Sequence, residues 1–233
     1  MIRKLNPVRK VFEDGSYITK FFGFVVSRKA FSSARYWEER YGRGGNSGSG
    51  SYGRLAAFKA EIINEFIASN GITQVIEFGV GDGNQLSLLR VCRYTGFDIS
   101  ETAVDRLRNL HAGDSSKTFM RVDDYDNHQA ELVLSLDVLY HLVEDGIFTS
   151  YMRRLFQAST RYVVIYSSNF EESGDPHVKH RRFTDWIDKN MPDWRLARTI
   201  KNKYPYNPQD YRNTSHADFY LYEKAKQRIR SMK

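Results

Sequence analysis

The feature that most constrains the fold is a regular alternation of short apolar runs with segments of helical periodicity. A helix is predicted before the first run, because six apolar residues between Leu55 and Ile67 recur at a spacing close to 3.6. Strands are predicted at 73–79, 94–98, 117–122, 131–136, 161–167, 194–201 and 217–223, and further helices at 84–91, 101–111, 145–158 and 182–191. This alternation predicts a largely parallel sheet with helices on both faces.

A glycine-rich turn follows the first predicted strand. Gly79, Gly81 and Gly83 occupy alternate positions, and Glu77 precedes the first of them by two residues. Glycine lets the backbone turn sharply and approach a ligand closely, and the next helix directs free N–H groups to the same space. A dinucleotide site would instead show Gly-x-Gly-x-x-Gly, and a carboxylate there would repel a pyrophosphate. The turn therefore favours a cationic ligand, although such a turn alone could equally be structural.

A second acidic residue strengthens this interpretation. Asp98 ends the next predicted strand, 21 residues after Glu77. At that position a carboxylate is placed to accept hydrogen bonds from the hydroxyls of a ribose. The two acidic residues and the glycines together predict a ligand of the nucleoside type.

With these motifs, residues 73–167 resemble the core of the class I methyltransferases that depend on S-adenosylmethionine (SAM). The resemblance implies an α/β, doubly wound, Rossmann-like fold whose seven-stranded, mostly parallel sheet has the order 3-2-1-4-5-7-6. It also implies SAM as cofactor and S-adenosylhomocysteine (SAH) as product. The cofactor-binding residues that it implies are Glu77, Gly79, Val80, Gly81, Gly83, Asn84, Asp98, Ile99, Asp123, Asp124 and Leu136, with Asp123 and Asp124 as equal candidates for the adenine amino group.

The predicted domain organisation has three parts. Residues 1–53 form an N-terminal extension with a hairpin signal at Asp14-Gly15, an aromatic helix near 31–41 and a loop with six glycines in twelve residues. This loop is interpreted as a lid beside the site. Residues 54–225 form the methyltransferase domain, with an acceptor-side insertion at about 168–182, and residues 226–233 form a basic tail.

Asp137 and His141, which follow the fourth predicted strand, are candidates for a catalytic role. His141 is a candidate general base, because imidazole titrates near neutral pH; alternatively, it is satisfied within its loop. Asp137 could orient His141, contact the acceptor or cap the following helix. No metal is predicted, because Asp137 alone does not supply the clustered carboxylates of a catechol-type site.

The insertion carries a basic cluster at 177–182. Its histidines and arginines are candidates for binding an anionic acceptor, since the arginine fork matches phosphate and carboxylate; the alternative is a solvated basic loop. The predicted acceptor-binding residues are Trp37, Tyr140, His177, His180, Arg181 and Arg182.

Composition limits the partners and the location. The net charge of +7 permits an anionic partner, but residues 135–138 lack the Asn/Asp-Pro-Pro-Tyr/Phe motif of enzymes that methylate amino groups of DNA bases, and nucleic acid is disfavoured. Apolar runs are too short to span a membrane, and the N-terminus lacks the apolar part of a signal peptide, so a cytoplasmic location is expected. Cys92 is the only cysteine and is expected to be a small buried hydrophobe.

The acceptor is suggested by a second resemblance. Segments 37–53, 136–142 and 177–186 are similar to those of bacterial methyltransferases linked with surface-polysaccharide assembly. This likeness implies O-methylation of a sugar hydroxyl, within a neutral or an anionic glycan. The alternatives are methylation of a small metabolite or of RNA, and a SAM-binding scaffold subunit without turnover.

Overall fold

The computed structural model describes residues 31–173 and 176–225. The predicted hairpin at Asp14-Gly15 and the basic tail at 226–233 lie outside these residues. Seven strands form the main sheet: β1 (Gln74–Phe78), β2 (Arg93–Asp98), β3 (Lys117–Arg121), β4 (Ala130–Leu136), β5 (Ser159–Ser167), β8 (Trp194–Ile200) and β9 (Asp218–Lys224). A separate two-stranded antiparallel sheet joins β6 (Glu172–Ser173) to β7 (Lys179–His180).

The strand order of the main sheet is β3-β2-β1-β4-β5-β9-β8. When only the strands of this sheet are counted, the order is 3-2-1-4-5-7-6. The first five strands run parallel, and β9 is antiparallel to both β5 and β8. The predicted doubly wound α/β fold is therefore confirmed.

Helices cover both faces of the sheet. They are α1 (Ser33–Gly42), α2 (Gly53–Asn70), α3 (Glu101–Leu110), α4 (Asp145–Gln157) and α5 (Phe183–Asn190). Successive side chains of a strand point to opposite faces, and β1 accordingly sends Val75 into a core with α2 and α3, and Ile76 into a core with α4 and α5. Within the described ranges, no helix is long and apolar enough to cross a membrane.

Two helix boundaries follow the predicted chemistry. The hydroxyl of Ser100 accepts a hydrogen bond from the backbone N–H of Ala103 at 3.2 Å, so Ser100 is the N-cap of α3 as expected. Helix α2 ends at Gly71, whose φ of 60° lies in the left-handed region that glycine adopts at low cost.

The predicted helix at 84–91 is wrong: this crossover contains only a single 3₁₀ turn at Leu86–Leu88. The segment is instead held by α2, where the Asn64 side chain donates to the Leu88 carbonyl at 2.9 Å and accepts from the Arg90 backbone N–H at 2.7 Å. From Leu89 the chain follows an extended path toward β2. Cys92, at the end of this path, is exposed rather than buried, because no helix covers it.

Candidate active site

A cavity of about 290 Å³ lies at the carboxyl ends of β1, β2 and β4. Neighbouring parallel strands end at the same edge of a sheet, which is where open α/β sheets bind ligands. Seven of the predicted cofactor residues line the cavity: Glu77, Gly79, Val80, Asp98, Ile99, Asp123 and Leu136. The sequence and the structure thus indicate the same place for a ligand.

Glu77 is a buried carboxylate in the wall of this cavity. The hydroxyl of Tyr94 donates a hydrogen bond to Glu77 Oε2 at 2.6 Å. Burial raises the pKa of Glu77 to about 7, although the Tyr94 hydroxyl and the Lys59 ammonium act in the opposite direction. A group of this kind gains from a cationic ligand, which stabilises its ionised form.

Asp98, at the end of β2, connects two walls of the cavity. Its Oδ2 accepts from the backbone N–H of Gly81 at 2.8 Å, and its Oδ1 accepts from that of Ser100 at 2.9 Å. Burial raises the pKa of Asp98, while these backbone hydrogen bonds oppose the shift. A carboxylate offers about four lone-pair positions, so Asp98 keeps acceptor capacity for hydroxyl groups of a ligand.

The glycine turn has a conformation that the other amino acids rarely adopt. The φ angles of Gly79 and Gly81 are 86° and 59°. A Cβ at Gly79 would overlap the Val138 side chain, and one at Gly81 would overlap Ser47 Oγ. Gly83, also at positive φ, packs against α3 rather than the cavity. The turn therefore packs closely against the loop that precedes α2.

The glycine-rich segment 42–53 is held against this turn by hydrogen bonds. Asp82 accepts from the Ser47 backbone N–H at 2.7 Å and from the Tyr52 hydroxyl at 2.8 Å. The side-chain amide of Asn84 donates to the Ser51 carbonyl at 2.7 Å. Asn84 itself does not line the cavity; it fixes the segment that covers it.

Helix α1 crosses the same opening and is attached on two sides. On one side, the Ser33 hydroxyl donates to Glu144 at 2.6 Å, near the chain that follows β4. On the other, Glu38 accepts from the hydroxyls of Ser100 at 2.6 Å and Thr102 at 2.5 Å. Trp37, between these attachments, lines the cavity, and its ring lies 5.0 Å from that of His141.

The structure distinguishes the two aspartates that were predicted as candidates for binding the adenine amino group. Asp123 and Asp124 lie in a 3₁₀ turn after β3, and of the two only Asp123 lines the cavity. Arg121 donates to the Asp123 carboxylate at 2.8 Å, which fixes that side chain at the rim.

Asp137 is strained and charged at the end of β4. Its φ of 59° is unusual for a residue other than glycine. One carboxylate oxygen pairs with Lys59 Nζ at 2.5 Å, and the other accepts from the Tyr140 hydroxyl at 2.8 Å. Strain of this kind persists where the surroundings impose it and is concentrated at functional sites.

His141 lines the cavity beside Asp137. Its Nδ1 lies 3.2 Å from the backbone carbonyl oxygen of His177. Because a carbonyl oxygen only accepts, Nδ1 carries the hydrogen and Nε2 carries the lone pair. Burial lowers the pKa of His141 to about 4, so the ring is neutral at pH 7. At neutral pH the Nε2 lone pair is therefore unprotonated, while the lowered pKa makes the ring a weaker base than a free imidazole.

Two cations of the predicted basic cluster are engaged within the protein, and the guanidinium of Arg181 is used internally rather than left free for an acceptor. Arg181 donates to the carbonyls of Leu142 and Val143 at 2.7 and 2.9 Å and pairs with Asp145 at 2.7 Å. Lys179 also pairs with Asp145, at 2.6 Å. Arg182 is exposed and does not line the cavity.

The histidines of this insertion lie among aromatic rings instead. The ring of His177 stacks on Tyr36 at 5.2 Å. His180 stacks on Phe170 at 4.6 Å and lies 5.8 Å from the ring of Tyr140. A partly exposed aromatic group thus continues from His141, and its members are Tyr140, Phe170, His180, Tyr206 and His216.

Sequence reasoning missed several polar residues in the cavity wall, among them Lys59 and Gln85. Lys59 is fully buried, and its signal was available, since it lies four residues from both Leu55 and Ile63 on the apolar face of α2. Gln85 is also buried, and its Oε1 has no hydrogen-bond partner among the described residues. Nothing in the local sequence separates Gln85 from an exposed residue of the predicted helix.

Comparisons with known proteins agree with this geometry. Residues 76–164 match the family model described as a methyltransferase domain. The match covers 89 of the 233 residues and includes the glycine turn and the carboxyl ends of β1, β2 and β4. No curated protein shows significant sequence similarity to this chain.

Solved structures share the fold at low sequence identity. The magnesium protoporphyrin IX methyltransferase of Synechocystis PCC 6803, solved with SAH, has a TM-score of 0.61 and 16% identity, over 82% of this chain and 98% of that one. The N-methyltransferase NodS of Bradyrhizobium japonicum WM9, also with SAH, has a TM-score of 0.64 and 11% identity, over 84% and 100%. The mitomycin 7-O-methyltransferase MmcR has a TM-score of 0.50 and 14% identity, over 72% and 55%. These proteins are named for different methylation reactions, so the shared fold leaves the acceptor open.

Proposed function

We propose that the enzyme transfers a methyl group from SAM to a hydroxyl of a sugar or glycan, with His141 as the general base. The observation that carries this proposal is the hydrogen bond between His141 Nδ1 and the His177 carbonyl oxygen. It leaves the Nε2 lone pair on a ring that lines the cavity. A hydroxyl acceptor has to lose a proton during methylation, and a positioned imidazole can take it.

The cavity wall suits the two ends of SAM. Buried Glu77 and the unpartnered Oε1 of Gln85 are acceptors for its ammonium group. Asp98 has acceptor capacity for the ribose hydroxyls, and Ile99 and Asp123 line the cavity where adenine would lie. The bound cofactor supplies an electrophilic methyl group.

The residues of the chain then orient the acceptor and take its proton. The Tyr140 hydroxyl and the Lys59 ammonium hold the Asp137 carboxylate in place. Asp137 shares the cavity wall with His141, so it is positioned to accept a hydrogen bond from a neighbouring hydroxyl of the sugar, while Nε2 of His141 takes the proton of the hydroxyl that is methylated. Alignment of the attacking oxygen with the methyl carbon supplies the rest of the acceleration.

The acceptor that this surface favours is neutral and contains a ring. Lys179 and Arg181, two cations of the predicted acceptor-side insertion, are paired with Asp145. Burial lowers the pKa of His180, which makes this histidine neutral as well. The aromatic group next to His141 offers flat apolar faces, and Tyr206, 44% exposed, lies at its outer edge. A sugar ring has an apolar face that matches such a surface. An anionic glycan is less favoured, because Lys179 and Arg181 are already paired with Asp145.

The contacts of the glycine-rich segment support the predicted lid. Ser47 and Tyr52 bind Asp82, and a Cβ on Gly50 would lie 3.1 Å from Asp137. The segment therefore runs from the glycine turn to the proposed catalytic carboxylate. Its position excludes water from the space between them, which strengthens the electrostatic interactions inside.

The acceptor class is tested by incubating the protein with methyl-labelled SAM and separate pools of neutral glycans, acidic glycans, small metabolites, RNA and protein. We expect label in the neutral glycan pool, released as labelled methyl ether after acid hydrolysis. Label confined to RNA, protein or the acidic pool would contradict the proposed acceptor. Asp105→Asn on the exposed face of α3 is the control for surface charge, and it should methylate at the wild-type rate.

The raised pKa of Glu77 predicts a pH dependence of cofactor binding. Below about pH 7 the buried carboxyl is protonated in the free protein, and a proton has to leave before it can pair with an ammonium. The affinity for SAH should therefore rise with pH and level off above pH 7. Calorimetric titration between about pH 5.5 and 8 measures this, and Glu77→Gln should remove the dependence. A wild-type affinity that is constant over this range would contradict the assignment.

A further inference from the structure

The loop between the last two strands is long and contacts the aromatic group of the acceptor side through His216. Seventeen residues lie between Ile200, the last residue of β8, and Asp218, the first of β9. The regular structure of this loop is limited to a 3₁₀ turn at Pro208–Asp210 and one β-bridge. Loops of such length with little regular structure are uncommon in compact domains, and those that occur are usually functional.

Contacts with α2 and within the loop hold it in one conformation. The guanidinium of Arg54, in the first turn of α2, donates to the Asn213 carbonyl and to the Asp210 carboxylate, both at 2.7 Å. At the base of the loop, the backbone N–H of Ser215 donates to the Tyr204 carbonyl at 3.1 Å. A loop that is already ordered loses little conformational freedom when a ligand binds to it.

The β-bridge at the base of the loop places two rings side by side. It pairs Pro205 with Ser215, so the residues that follow these two, Tyr206 and His216, are neighbours. The planes of the two rings differ by 25°, and their centroids lie 3.8 Å apart. Both side chains are exposed. The pair therefore offers solvent a fixed aromatic surface, and exposed apolar surface of this kind is typical of ligand-binding grooves.

This ring pair lies outside the cavity but is connected to it by aromatic contacts. Neither Tyr206 nor His216 lines the cavity that contains His141. The His216 ring lies 6.0 Å from that of His180, and His180 lies 5.8 Å from Tyr140. The Tyr140 ring lies 4.6 Å from His141. A sugar whose hydroxyl reaches His141 occupies the cavity, so a ring that packs on Tyr206 has to belong to another sugar unit.

We propose that Tyr206 and His216 form a subsite for a second sugar ring, and that the acceptor is a neutral oligosaccharide or polysaccharide rather than a single sugar. The inference rests on the proposed function and deepens it, because it sets a minimum length for the acceptor. The unit at Tyr206 is not methylated. It packs its apolar face on the tyrosine ring and holds the chain so that another unit reaches His141.

The test uses neutral glycans that are cut by partial acid hydrolysis and separated by size into single sugars, disaccharides and longer chains. Initial rates with methyl-labelled SAM, at equal molar concentrations of chains, give kcat/KM for each fraction. A ring packed on an aromatic side chain contributes a factor of about 3 to 10 in binding. The chains that reach Tyr206 should exceed single sugars by this factor, mainly through a lower KM. In Tyr206→Ala this gain should disappear.

Two further variants show whether the gain depends on the aromatic face. Tyr206→Trp keeps such a face and should keep the gain. Tyr211→Ala is the matched control, because Tyr211 belongs to the same loop, is 58% exposed and contacts Arg212; it should behave as the wild type. Every variant should bind SAH and methylate single sugars as the wild type does, since neither tyrosine lines the cavity.

The outcomes separate the subsite from the proposed function. Equal kcat/KM for single sugars and longer chains in the wild type overturns the subsite, and so does a Tyr206→Ala variant that keeps the gain. A Tyr206→Ala variant that loses transfer to all fractions in equal proportion also overturns it, because the tyrosine then has a structural role only.

A nucleotide-linked monosaccharide is measured as a competing acceptor. If its kcat/KM exceeds that of every neutral oligosaccharide, the subsite is overturned, because a nucleobase is then the ring that packs on Tyr206. Label that appears in no neutral fraction at all contradicts the proposed function itself, which distinguishes that failure from failure of the subsite alone.

Discussion

Replacing His141 by alanine is expected to lower kcat by about 10²- to 10⁴-fold, the usual contribution of a general base, while the affinity for SAH stays within about threefold. The ring of His141 contributes its Nε2 lone pair to the acceptor side, and the predicted cofactor contacts lie on other residues, namely Glu77 and Asp98. Single-turnover rates with labelled SAM and SAH titration separate the two effects.

The pH profile adds a second test of this base. Burial lowers the pKa of His141 to about 4, so the ring stays neutral as the pH falls from 7 to about 5. The decline in kcat caused by protonation of His141 should therefore lie near pH 4 rather than near 6.5, the ordinary value for histidine. The same sign applies to stability: the neutral buried ring stabilises the fold above about pH 6.5, and this contribution is lost as the pH falls toward 4.

A matched histidine provides the control for His141→Ala. His128 is exposed and lies outside the cavity, so His128→Ala should keep the wild-type kcat. Retention of kcat in His141→Ala, or an equal loss of SAH affinity, would exclude the role of a base. In that case Asp137, which lines the same cavity, is the next candidate for the base.

The parts of the fold that sequence predicts are those set by local periodicity. The apolar face of α2 and the N-cap at Ser100 depend on residues a few positions apart, and both are where the pattern indicates. The crossover at 84–91 differs, because its backbone and side chains are bound by residues of α2, such as Asn64, which contacts Leu88 and Arg90. These contacts join residues more than 20 positions apart, and apolar periodicity within the segment does not reveal them.

The site shows the same division. Glu77 and Asp98 can be predicted because each ends a strand, and a parallel sheet brings such ends together. The role of Lys59 depends on a pairing with Asp137, 78 residues later, and therefore on how α2 packs against the sheet. Arg181 is an example of the opposite error. It was predicted to bind an anion, but its guanidinium donates to a backbone carbonyl of a neighbouring loop. Residue type alone does not tell a free guanidinium from one already engaged.

Replacing Asp98 by alanine is expected to reduce the affinity for SAH by about 10- to 100-fold, the range for a hydrogen bond to a charged group. The carboxylate accepts from Gly81 and Ser100, and its remaining acceptor capacity faces the cavity. The change therefore removes the predicted ribose contact and also the connection between the glycine turn and β2. The melting temperature should fall as well, because two buried N–H groups lose their acceptor.

Asp98→Asn distinguishes these two consequences. The amide keeps the volume of the side chain and one acceptor oxygen, so the fold should be disturbed less than in Asp98→Ala. Burial raises the pKa of Asp98, because it destabilises the ionised carboxylate in the free protein. We infer that the carboxylate occupies this position because it binds a ligand. We therefore expect Asp98→Asn to lower the melting temperature less than Asp98→Ala does, because one of the two backbone N–H groups keeps its acceptor, while the affinity for SAH falls at least about tenfold. If SAH affinity follows melting temperature through both variants, Asp98 supports the turn and does not contact the ribose.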